Sequence, residues 1–169
     1  MDRTSSSVLG TFFSRDRAWQ VLETIANTYA PGQTVAYTRA PQIIRLLNLF
    51  QTSGYQFDRN YRNTGNSVLT VGKGLPTILF FAHADEISYL VGKQQADGTY
   101  LLTPFCAHKS QISAPAIVLR YSLKNSELEV VGGGHIHPPN MDDSHPTLML
   151  TEGHAQPGDR VVYAHRQTL

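Results

Sequence analysis

The sequence predicts an α/β first half joined to a small all-β barrel, and three observations carry that reading. Two amphipathic helical patterns come before any strong strand. The apolar run at residues 77–82 is continuous rather than alternating, the mark of a strand covered on both faces. Beyond Asp85 no helical period returns, and short β runs recur between turn signals.

Each element has its own warrant. Residues 14–29 place Ala18, Val21, Leu22, Ile25, Ala26 and Tyr29 at helical spacing, with Ser14 as N-cap and Pro31-Gly32 as the stop. A second helix over 39–53 carries Ile43, Ile44, Leu46, Leu47 and Phe50, and Gly54 suits a left-handed C-terminal cap. Extended runs are expected at 55–61, at 67–71 after the turn Thr64-Gly65-Asn66, and at 77–82, the last as the central strand. Six further runs, at 88–92, 99–103, 116–122, 127–131, 147–151 and 160–164, suit a small barrel or sandwich. The turns between them are Asp97-Gly98, Lys124-Asn125, Gly132-Gly133-Gly134, Pro138-Pro139-Asn140 and Pro157-Gly158-Asp159. The expected division is a partial α/β domain over 1–87, a barrel over 88–164, and the start of a return to the α/β part over 165–169.

Composition narrows the function. The chain has 169 residues, 41 % hydrophobic and 16 % charged, with a net charge of +1, so a core needs neither disulfide nor metal. Its fourteen Lys and Arg are scattered without aromatic interleaving, which argues against nucleic acid as partner. Cys106 stands alone, which excludes an internal disulfide and a thiolate-rich zinc site and fits a reducing, cytoplasmic setting. No run reaches the length of a membrane span, and MDRTSSSVLG lacks the pattern of a secretory leader.

The string PTILFFAHADEI ends the most apolar segment in a histidine and two carboxylates. On a strand, His83 and Asp85 share a face while Glu86 points away. A carboxylate beside an imidazole holds one tautomer and supports a metal-bound histidine. The alternative is a hydrogen-bonded surface histidine beside a solvated carboxylate.

The string ILFFAHADEISYLV, with TGNSVLTVGKG before it and a β-rich stretch ending in PGDRVVYAH after it, resembles the tetrahedral or glutamyl aminopeptidases, dinuclear zinc or cobalt metallopeptidases. Their pattern of a glycine-asparagine turn, an apolar strand and His-x-Asp-Glu-Ile-Gly is matched by Gly65-Asn66, residues 78–82 and His83-Ala84-Asp85-Glu86-Ile87-Ser88, where Ser88 replaces the final glycine. Gly132 to Pro139 and Gly158-Asp159 match lid features loosely. The resemblance implies a partial zinc-peptidase-like sheet followed by a lid and dimerisation barrel. It also implies His83 as metal ligand, Asp85 as its orienting partner, Glu86 as a structural residue, zinc or cobalt as cofactor, and peptides as substrates.

The same resemblance implies a bridging Asp, a general-base Glu, two more carboxylate ligands and a last His, all from a half-domain that would begin near Leu169. Where the family commonly has an Asp before the turn, this chain has Arg62-Asn63-Thr64. The expectation is a metalloaminopeptidase-like protein that is incomplete as a catalyst alone. It would associate with itself or with a completing second polypeptide. The alternative is a non-catalytic binding or assembly protein that keeps the fold and oligomerises through the barrel.

His135 and His137 would share a strand face and offer a second metal pair, with Asp142, Asp143 and His145 nearby at unsuitable spacing. The alternative is a polar loop, with Asp142-Asp143 solvated. His108, His154 and His165 stand singly and read as surface or hydrogen-bonded residues. Cys106 has no motif that would activate a thiolate, so it reads as a small buried hydrophobe. There is no G-x-S-x-G string and no phosphate-binding glycine loop.

Overall fold

A computed structural model describes residues 14–51, 53–75, 78–105, 112–124, 127–139 and 145–164. Cys106, His108, Asp142, Asp143, His165 and the return segment 165–169, on each of which the sequence places an expectation, lie outside the described residues.

Helix α1 (Arg15–Ala26) starts where Ser14 accepts a hydrogen bond from the Arg17 amide, and Asp16 adds a favourable charge to its first turn. It ends at Ala26 with Asn27 as its C-cap, three residues short of the expected limit at Tyr29, and buries none of its own residues. Helix α2 (Arg39–Leu49) buries Arg39, Ala40 and Leu46. It stops before the expected limit because Gln51 takes a left-handed conformation. Strands β1 (Tyr55–Asp58) and β2 (Val68–Val71) form an antiparallel hairpin that pairs with nothing else among the described residues.

The rest is a closed antiparallel barrel. Strands β3 (Ser88–Gln94), β4 (Tyr100–Pro104), β5 (Ala114–Ser122), β6 (Glu127–His137), β7 (Thr147–Gly153) and β8 (Arg160–Tyr163) run around it in the order β3-β4-β7-β6-β5-β8. Closure removes free sheet edges from this part of the molecule. Alternate residues point inward, so Tyr89, Val91, Leu102, Ala116, Val118, Ile136, Leu148 and Val161 make the core. Their neighbours Ile117, Leu119 and Val162 face outward, where Tyr29, Leu128 and Ala164 pack on them. Strand β5 is thus apolar on both faces because the segment after α1 covers its outer side.

The α/β class is corrected by this architecture. The described residues are mostly β, built on the barrel, and residues 78–82 form no strand in a peptidase-like sheet. A strand buried on both faces needs flanking strands and covering helices. Here the β1–β2 hairpin pairs only with itself, and Phe80 and Phe81 are almost fully exposed. The apolar run carries the propensity for a strand, while the described residues supply it with no neighbours.

The triple glycine is also not a turn. Gly132, Gly133 and Gly134 lie inside β6, where the β6–β7 register shifts between Gly133 and Gly134. A Cβ at Gly134 would overlap the Met149 carbonyl oxygen, so close approach of two backbones demands glycine there. No helix among the described residues is long and apolar enough to cross a membrane.

Candidate metal-binding half-site at His83

The site sits where the chain enters the barrel, and a set of short contacts fixes this entry to the turn after α1. The Glu86 amide donates to the Ala30 carbonyl at 2.9 Å, and the Glu86 carboxylate accepts from the Ala30 amide. Pro31 and Glu86 form a parallel bridge. The Gly32 amide donates to Ser88 Oγ at 3.1 Å, with Ser88 fully buried. Ser88 therefore has a structural use here, as the acceptor for this turn. Gly32 also needs its hydrogen, since a Cβ would lie 2.7 Å from the Phe105 ring.

Arg39 reinforces the entry from below. Its Nε donates to the carbonyls of Ile25 and Thr28 at 3.0 and 3.1 Å, and its Nη1 donates to the Ala84 carbonyl at 2.6 Å. One nearly buried guanidinium thus ties the end of α1 to the residue between His83 and Asp85.

Above this anchor, His83 Nδ1 lies 2.9 Å from Asp85 Oδ1, with the His83 side chain 75 % exposed and that of Asp85 33 %. Residues 83–85 are not a strand, but the two side chains still meet. With Nδ1 donating its proton to the carboxylate, the Nε2 lone pair is free to accept a ligand. Imidazole held this way by a carboxylate is the donor arrangement found behind bound zinc. Glu86 turns the other way and serves the backbone.

The pair by itself brings one imidazole and one carboxylate together. Among the described residues no group of three or more His, Cys, Asp or Glu side chains stands together. Zinc takes four ligands, so His83 offers one nitrogen and leaves the remaining positions to other donors.

His135 and His137 share one face of β6, and their rings stack with centroids 6.4 Å apart and planes 28° from parallel. They are strand residues rather than part of a loop. Pro115 and Met149 flank His135, and Thr147 faces His137.

His154 belongs to a network the sequence did not disclose. Asp159, nearly buried, accepts from Arg120 Nε at 2.8 Å, from Arg120 Nη2 at 2.7 Å and from the Gln156 amide at 2.9 Å. Arg120 Nη1 lies 2.9 Å from His154 Nε2. The bidentate carboxylate and its field hold the Arg120 guanidinium above its ordinary range, the hydrogen bonds being the larger effect. This cluster braces the turn before β8 against β5 and is a structural clamp.

Sequence reasoning missed Arg39, and no local signal marks it, because its partners come from α1 and from the chain entering the barrel. Comparison with protein-family models, curated proteins and solved structures finds no match to this chain.

Proposed function

We propose that this chain is a metallopeptidase-like protein of the tetrahedral or glutamyl aminopeptidase type. His83 would hold a zinc or cobalt ion through Nε2, with Asp85 orienting the ring. The observation that carries this reading is the 2.9 Å hydrogen bond between His83 Nδ1 and Asp85 Oδ1, set in the family-like string His83-Ala84-Asp85-Glu86-Ile87. When bound, such an ion supplies Lewis-acid polarisation of a peptide carbonyl and activates water. This chain's own part is to present one neutral imidazole, fix its tautomer and hold the entry loop through Arg39 and Glu86. The remaining donors and the general base come from a completing polypeptide, and N-terminal residues of peptides are the substrates of the completed site. A cytoplasmic location fits the single cysteine.

A second reading makes the chain a non-catalytic binding or assembly protein. The exposed apolar residues before His83 favour it.

Calorimetric titration of zinc and of cobalt into the purified chain separates the two, run beside His83→Ala and a His135→Ala/His137→Ala double variant, with aminopeptidase activity read on the same samples. Binding lost in His83→Ala and kept in the double variant supports the half-site. Binding lost only in the double variant moves the metal to β6, and no binding in any sample leaves the assembly reading. Asp85→Asn should weaken binding at His83 by roughly 10 to 100-fold.

A further inference from the structure

Among the described residues, those just before His83 form the most anomalous surface. Leu75, Ile78, Leu79, Phe80 and Phe81 are 92, 73, 68, 88 and 89 % exposed. Single exposed hydrophobes are ordinary, but a consecutive run of large ones is not. At roughly 150–250 Å² for each phenylalanine and a little less for each leucine or isoleucine, these side chains present about 750 Å² of apolar surface. That exceeds the 300–600 Å² or so of the largest patch on a typical monomer, and pairing with a second copy would bury part of it from each partner. Among the described residues no hydrogen bond engages the backbone of residues 78–82.

We propose that residues 78–81 pair antiparallel with the same residues of a second copy of this chain, about a two-fold axis between Leu79 and Phe80. An isologous contact of this kind is self-complementary and closed, so it stops at a dimer. The charges around the run suit it. Lys73, which is exposed, precedes the axis, and Asp85 and Glu86 follow it at almost the same spacing. A register that sets Leu79 opposite Phe80 therefore brings Lys73 of each copy towards the carboxylates of the other. The net charge of +1 adds little repulsion between copies. His83 lies beyond the paired residues, so the dimer does not depend on metal binding.

The test is sedimentation equilibrium of the full chain with a chelator present, over about 1–100 µM, a range that brackets a micromolar dissociation constant. The expected result is a reversible monomer–dimer equilibrium. Phe80→Glu/Phe81→Glu should be monomeric throughout with an unchanged circular dichroism spectrum, because neither ring packs in the fold. Lys73→Glu should weaken the dimer by roughly two- to ten-fold, less so at high salt. A monomer at the highest concentration, open-ended aggregates, or a dimer that persists in Phe80→Glu/Phe81→Glu would each overturn the proposal, the last by placing the contact elsewhere.

Discussion

Replacing Arg39 by methionine tests how the entry to the barrel is held. Methionine keeps most of the stem volume but removes every donor. The Ile25 carbonyl retains the Thr28 amide at 3.3 Å, whereas the carbonyls of Thr28 and Ala84 lose the guanidinium that served them. The Thr28 and Ala84 carbonyls are only half-buried and can partly hydrate, and relief of the cation's desolvation offsets part of the sum, which puts the net loss at about 1–2 kcal/mol. Urea unfolding followed by the helical circular dichroism signal measures it, and zinc titration on the same variant reads the second consequence. Because Ala84 sits between His83 and Asp85, releasing its carbonyl should loosen their geometry and weaken zinc binding as well. An Arg39→Met protein with a stability loss below about 0.5 kcal/mol would refute the anchoring role, since that is within the range of an ordinary surface substitution. Full loss of stability with zinc affinity unchanged would refute the positioning role.

The barrel gives three more expected outcomes. Asp159→Ala strips Arg120 of its bidentate partner, but Arg120 is 27 % exposed and can hydrate, so the cost should be about 2–4 kcal/mol rather than that of a fully buried pair. In thermal unfolding this reads as a midpoint lower by roughly 4–16 °C. The Tyr89 phenol is pushed well above its ordinary range by burial first and then by its hydrogen bond to Tyr163. The unfolded chain releases that proton near pH 10 while the folded chain keeps it, so stability is full below about pH 10 and declines above it. Tyr89→Phe should flatten that decline in denaturant midpoints taken between about pH 9 and 11. Gly134→Ala forces a methyl against the Met149 carbonyl and should cost about 3 kcal/mol or prevent folding, read by the same unfolding assay.

These perturbations also mark what the sequence shows locally and what it does not. The helical spacing of Val21, Ile25, Ile43 and Leu47 reflects contacts within one or two turns, and α1 and α2 lie where that spacing puts them. The short β runs after Ser88 are visible for the same reason, since alternation is a property of one strand. Coverage is not local. Residues 77–82 read as a strand covered on both faces and residues 116–122 as one short β run among six, but Tyr29 packs on the outer face of β5, and among the described residues nothing packs on Phe80 or Phe81. The α/β class failed at that point. The glycines of β6 read as a turn because conformational freedom and close approach select the same residue. His83 and Asp85 are two residues apart, so their contact is legible. Arg39 reaches Ala84 across 45 residues and Arg120 reaches Asp159 across 39, distances at which no pattern signals a bond.

The central claim is that Asp85 fixes His83 with a free Nε2 that takes a metal. Nitrogen-15 correlation spectra of the His83 ring, recorded as zinc is added, test it most directly. A protonated Nδ1 is expected before and after addition, with zinc shifting Nε2 alone, and the tautomer preference should be lost in Asp85→Asn. An Nε2-protonated ring, or a His83 resonance indifferent to zinc while His135 and His137 respond, would contradict it.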